Sequence, residues 1–201
     1  MESARQRLWI PACAGMTGWA GRASSLLLAL LLALLLAACG GRAVSDVPVK
    51  IGRPYTVRGV TYVPAPAPGY DALGYAGWYG GESGNRTARG ERFRAKGISG
   101  AHTTLPLPSY VEVTALDTGR TILLRVNDRG PFVRGRIIDL SRGAADALGI
   151  RASGTAAVRV RLVDPPERDR ARLRAGKSAS PRPDASPDTL AALRQRWMEA
   201  R

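Results

Sequence analysis

The sequence predicts a mainly β protein organised around one small closed barrel, and three patterns lead there. Val111, Val113 and Ala115 alternate with Glu112 and Thr114, and Thr121-Ile122-Leu123-Leu124-Arg125-Val126 follows across Asp117-Thr118-Gly119, which reads as a β-hairpin closed by a glycine turn. Val158, Val160 and Leu162 alternate with Arg159 and Arg161 as a last strand with a solvated basic face. Between them the short strand Arg136–Leu140 leads into Ser141–Gly149, where Ser141 can cap a helix and Gly149 can take the left-handed conformation that ends it. Short strands with one helix are too little for an ordinary sandwich, and a closed barrel leaves no open sheet edge.

The N-terminal segment sets the expected compartment. Leu26–Ala38 is an unbroken apolar run of 13 residues, shorter than the about 20 that a helix needs to cross a bilayer core. It has the length of a signal-peptide core, with Arg22 just before it. The run ends in Leu36-Ala37-Ala38-Cys39, followed by Gly40 and Gly41, which resembles a bacterial lipobox. Residues 1–38 are therefore read as a lipoprotein signal peptide, in which 1–15 fit better as an extension upstream of a start at Met16. Cys39 is the expected lipidation site, its acyl chains anchoring the protein to a membrane; a short transmembrane anchor with an unrelated cysteine is the competing reading. The expected location is the cell envelope, on the periplasmic face of the outer membrane. Cys13 would be discarded, so the mature chain has no disulfide and its fold must rest on its core.

The chain carries a net charge of +14. In a cytoplasmic protein that balance would suggest nucleic acid; export excludes that partner and leaves the anionic lipids and polymers of the envelope. Residues 39–72 hold prolines at 48, 54, 64, 66 and 68 and are read as a lipidated N-terminus with an extended spacer. Residues 73–163 are the barrel. Residues 164–201 are a basic tail dominated by Pro, Arg, Asp, Ser and Ala and are expected to be largely disordered. Within that tail Leu190, Leu193 and Trp197 fall at helical spacing, over a segment too short to be a stable helix alone.

Several phrases recur in a fixed order: Gly74-Tyr75-Ala76-Gly77-Trp78-Tyr79-Gly80, Thr87-Ala88-Arg89-Gly90-Glu91, Ala101-His102-Thr103-Thr104-Leu105-Pro106-Leu107-Pro108, Val126-Asn127-Asp128-Arg129-Gly130-Pro131-Phe132 and Arg136-Ile137-Ile138-Asp139-Leu140-Ser141. Together they closely resemble the rare lipoprotein A family. That resemblance implies a six-stranded double-psi β-barrel with one or two short helices between disordered tails. It also implies an endolytic murein lytic transglycosylase that acts on glycan strands stripped of their peptides. The chain departs from the family pattern at Gly77, usually Ser, at Arg89, often Asn or Ser, at Gly100, usually Ala, and at Arg94, where an acid often stands.

Cleaving a glycosidic bond needs a carboxylic acid kept neutral by burial or by a neighbouring charge. In a lytic transglycosylase the muramic acid's own 6-hydroxyl attacks the anomeric carbon and leaves a 1,6-anhydro end, so one acid that later turns base can suffice. The resemblance places that chemistry on Asp128 and Glu91, with His102 as a relay or holding residue. Trp78 and Tyr79 offer rings for sugar stacking. Arg129 would orient a loop or bind the sugar's lactyl carboxylate, and it would lower the pKa of Asp128 if it pointed the same way. Each residue also has a plainer reading: a turn former for Asp128, a solvated loop acid for Glu91, a structural histidine for His102 and barrel core for Trp78. Asp139 is read as a structural, buried carboxylate bonding nearby backbone N–H groups. No cofactor or metal site is visible, since one histidine and no usable thiol leave only carboxylates without the spacing of zinc or calcium loops.

The expected partners are peptidoglycan glycan and, through Cys39, a membrane, for a protein acting as a monomer. Two other readings compete. One is a non-catalytic wall-binding lipoprotein that holds glycan in the same groove, and the other is wall loosening without bond cleavage, as in expansin-type barrels.

Overall fold

The computed structural model describes residues 44–80 and 84–200. The signal segment and Cys39 lie outside the described residues, and no helix among those described is long and apolar enough to cross a membrane. The barrel strands are β3 (Asp71–Tyr79), β4 (Ser99–Ala101), β5 (Ser109–Ala115), β6 (Thr121–Asp128), β7 (Arg136–Ser141) and β8 (Ala156–Leu162), preceded by a small hairpin of β1 (Tyr55–Val57) and β2 (Val60–Tyr62). They close in the order β3-β7-β4-β6-β5-β8. The β3–β7 and β4–β6 pairs are parallel, and the remaining pairs are antiparallel.

The predicted alternation fills the barrel. Val111, Val113 and Ala115 of β5, Leu124 and Val126 of β6, Ile138 and Leu140 of β7, and Val158 and Val160 of β8 are all fully buried. Residues between them face outward, because successive strand side chains point to opposite faces. The hairpin turn falls as expected, with Gly119 at φ +78°. Helix α1 (Arg142–Leu148) starts and stops where the sequence indicated: the Ala144 N–H donates to Ser141 Oγ, and Gly149 closes it at φ 85°. Ser141 Oγ also donates to the Gly97 carbonyl and accepts from the Ser99 N–H, tying the helix start to β4.

Two sequence expectations fail. The segment before β3 is no free spacer: Lys50 and Leu107 exchange both backbone hydrogen bonds at 2.8 Å, and the Asp46 carboxylate accepts from Tyr110 Oη at 2.7 Å and Arg125 Nε at 3.0 Å. The prolines exclude helix there, but they permit an extended strap along the barrel wall. Nor is the tail disordered. It forms α2 (Glu167–Arg174) and α3 (Pro187–Glu199). Leu173 and Leu193 are buried, Asp169 accepts from Ser180 and Arg182, the Ala185 N–H donates to the Gly119 carbonyl, and Arg194 donates to the carbonyls of Leu116 and Asp117. Composition counts apolar residues, and this tail is held largely by arginines that satisfy barrel carbonyls and carboxylates. The arginines expected on a solvated face of β8 are engaged as well: Arg159 pairs with Asp71, and Arg161 with Glu112.

A docked tail makes a prediction for limited proteolysis. Trypsin should spare the arginines between residues 168 and 182 in the native protein. Leu193→Ala, which removes one of the tail's two buried leucines, should expose them and cost about 2 kcal/mol in urea unfolding. Equal cleavage rates in the two proteins would show that Leu193 does not hold the tail.

Candidate active site

The site is built on the outer face of β6. Because Leu124 and Val126 point inward, Arg125 and Asn127 point out, and Arg125 is nonetheless only 2% exposed. It is covered by a tight loop over residues 85–93, closed by Thr87 N–H to Glu91 O, Gly90 N–H to Thr87 O and Phe93 N–H to Asn85 O. Gly90 supplies the φ of +78° that this turn requires. The loop lays the Glu91 carboxylate onto β6, where Arg125 donates to both its oxygens at 2.7 and 2.9 Å and Asn127 Nδ2 donates at 2.9 Å. Burial pushes the Glu91 pKa up, but the Arg125 and Asn127 hydrogen bonds and the charges of Arg125 and Arg89 outweigh it and hold Glu91 below its ordinary value. Glu91 is therefore an anion.

Asp128 is its opposite. The β4–β6 pairing steps from Gly100–Val126 to Ala101–Asp128, so Asn127 is bulged and Asp128 swings to the outer face beside it. Its Oδ1 accepts the Ala88 N–H at 2.7 Å and the Arg129 N–H at 2.8 Å. Burial, the largest effect, and the negative Glu91 raise its pKa above the ordinary carboxylate value, despite those two bonds and the positive Arg129. The structure thus brings both predicted acids to one mouth of the barrel and separates their environments.

The other predicted site residues take different places. Arg129 turns away from the Asp128 carboxyl: Nη1 donates to the carbonyls of Leu105 and His102, and Nη2 to that of Ile51. It clamps backbone, the loop-orienting arrangement, with three of its N–H donors taken; its charge still acts to lower the Asp128 pKa, but less than burial raises it. His102 is 3% exposed, and its Nδ1 accepts the N–H groups of Thr104 and Leu105, which places the ring proton on Nε2, 3.0 Å from Tyr70 Oη. Its side chain bonds neither acid, and only its backbone N–H reaches Asp128, at the carbonyl. Trp78 stands abreast of Leu140, shares its inward direction and packs against the core, with Arg151 over its ring at 5.8 Å. Tyr79 is on the outer face, but its ring is stacked on Phe93 at 5.0 Å and buried. It offers a hydroxyl to the site, not a stacking surface; burial and the nearby charges of Asp128 and Asp139 raise the pKa of that hydroxyl.

Arg125, Asn127 and Asp46 were not anticipated. The one available signal was Arg125 itself, a charge inside the otherwise apolar run Leu123-Leu124-Arg125-Val126. Arg94, the basic departure, is accounted for by the tail: its Nη1 donates to the Ala175 carbonyl and its side chain lies against Gly176. Among the described residues, no three His, Cys, Asp or Glu side chains converge in a way that would hold a metal ion.

These burials fix the acid side of the stability profile. Desolvation, aided by Arg129, lowers the His102 pKa from 6.5 to about 4. The unfolded chain therefore binds a proton below pH 6.5 that the folded one refuses until about pH 4, and stability present above pH 6.5 drains away across that window, by about 3 kcal/mol. Glu91 and Asp46, both held low in the folded state, remove more below their unfolded values. Urea titrations from pH 7.5 to 4 should record this decline, and a flat profile would mean that His102 titrates normally.

The closed six-stranded barrel with its two parallel pairs is of the double-psi kind. The model for a family described as lytic transglycolase matches residues 71–160. The chain is 53% identical over 114 residues to the endolytic peptidoglycan transglycosylase RlpA of Pseudomonas aeruginosa strain UCBPP-PA14, covering 56% of this chain and 33% of that protein. It is 48% identical over 113 residues to its Campylobacter jejuni namesake, covering 55% and 41%. With that of Rickettsia felis it shares 42% over 115 residues, covering 55% and 50%. The chain thus spans between a third and half of the length of these relatives. Among solved structures, a Streptomyces papain inhibitor aligns over 47% of this chain and 96% of its own at 24% identity, with a TM-score of 0.40.

Proposed function

We propose that this protein is an endolytic murein lytic transglycosylase, tethered to the envelope through Cys39 on the periplasmic face of the outer membrane, that cleaves the MurNAc–GlcNAc bond of peptide-poor glycan strands. The observation that carries the reading is the contrast between Asp128 and Glu91, two acids bound to one loop with opposite shifts. A carboxyl whose pKa is raised by burial is better suited than an ordinary one to give a proton to the glycosidic oxygen, and an ionised neighbour favours its protonated form. As the C1–O bond breaks, the muramic acid's 6-hydroxyl oxygen attacks C1. Its proton returns to the Asp128 carboxylate, leaving a 1,6-anhydro end and a restored acid. Sequence identity to named transglycosylases supports the same reading.

The test is product analysis. The purified protein, incubated with peptide-free glycan and with intact murein, should release fragments ending in 1,6-anhydromuramic acid, faster from the peptide-free material. Reducing ends would indicate a hydrolase. Bound, uncut glycan whose retention falls with salt would favour the wall-binding lipoprotein.

A further inference from the structure

Asp128 on β6 and Asp139 on β7 are both the Cα partners of Ala101 on β4, and Asp139 is in turn the partner of Gly77 on β3. Residues directly abreast on neighbouring strands present their side chains on the same face, and that face is the outer one, since Ile138 and Leu140 flank Asp139 on the inside. Asp128, Ala101, Asp139 and Gly77 therefore form one row across four strands, spanning about 14 Å at the usual interstrand spacing. Two of the four residues are small and covered, and the half-buried acids stand at intervals along the row, with the acid of the site at one end.

At the other end lies Arg136. Its Nη2 donates to Asp139 Oδ2 at 3.2 Å, its Nε is buried with no hydrogen-bond partner among the described residues, and its side chain stays 25% exposed. Its Nη1 occupies the space of an absent side chain: a Cβ on Gly77 would lie 2.4 Å from it. This is where the chain departs from the serine usual in the family. A guanidinium has five N–H donors in a fork suited to carboxylates, and Asp139 occupies only one edge of this one. Arg129, which the sequence offered for the same task, has three of its donors committed to backbone carbonyls.

We propose that Arg136 receives the lactyl carboxylate of a muramic acid residue when a glycan strand lies along this row with its scissile bond at Asp128. The assignment rests on the transglycosylase reading and adds to it the group that selects the substrate. In a peptide-free strand the lactyl group ends in a charged carboxylate. In an intact strand the same carbon is an amide, uncharged and extended by the stem peptide, and it cannot accept the paired hydrogen bonds. Preference for stripped glycan then becomes a property of one guanidinium and of the missing side chain beneath it.

The experiment compares peptide-free glycan with the same glycan after its lactyl carboxyls have been converted to methylamides. The wild-type protein should show at least a tenfold lower KM on the carboxylate form at similar kcat. R136Q should abolish that difference. G77A, which keeps the charge but displaces the guanidinium, should reduce it, and a melting scan of each variant separates this effect from misfolding. A wild type that treats both glycans alike, or a folded R136Q that retains the tenfold preference, overturns the proposal. If neither glycan is cut, the catalytic reading fails by itself; calorimetric binding of the two glycans to wild type and R136Q then decides the carboxylate assignment independently.

Discussion

Asp128→Asn is expected to slow glycan cleavage by about 10²–10⁴-fold, the usual contribution of a general acid, while leaving the fold intact. Asparagine keeps the shape of the side chain, and its oxygen can still accept the Ala88 and Arg129 N–H groups that now hold Oδ1. Only the transferable proton is lost. Because burial makes the wild-type carboxylate costly at neutral pH, the variant should unfold at the same urea concentration or a slightly higher one. Glycan affinity should change little. Initial rates of anhydro-end formation on peptide-free glycan, read beside a urea curve, check both halves; a variant retaining a tenth of the rate would remove Asp128 from the role of acid.

The second large effect is on stability. Arg125 is 2% exposed and neutralises two carboxylates, Glu91 and Asp46, that are themselves mostly covered. Arg125→Met fills similar volume but leaves Glu91 without its main partner and Asp46 with only Tyr110 and Arg174, and removal of one member of a buried ion pair costs about 3–5 kcal/mol. The loss should reach the loop over residues 85–93 as well, because Glu91 is its main attachment to β6. Pairing Arg125→Met with Glu91→Gln should recover part of the cost. Urea unfolding of the two single variants and the double variant measures this. Additive losses would show that the pair is not coupled.

What could be read in the sequence follows physical range. The hairpin of β5 and β6, strands β7 and β8, and both caps of α1 depend on near neighbours and period-two burial, and they appear where the residues put them. Asp128 and Glu91 were legible only as phrases of a family; that they share a mouth depends on a bulge at Asn127 and a loop closed by Gly90, neither of which leaves a periodic trace. The bonds that Arg129 and His102 make were not legible for a related reason. A residue type states which bonds a side chain can make, whereas the fold decides which groups lie nearby, and here backbone groups claimed both side chains first. The tail misled because arginine-rich composition resembles disorder until the carbonyls and carboxylates that bind those arginines are in view.

The Ala88 amide and the Glu91 carboxylate sit three residues apart on one short loop, and each is fastened to β6 by a different hook. A displacement of that loop would strip Asp128 of a donor, admit solvent to it and withdraw the neighbouring anion in a single movement. Substitution at Gly90, remote from any reacting atom, should therefore disturb the pH dependence of catalysis more than it disturbs the hold on the polymer.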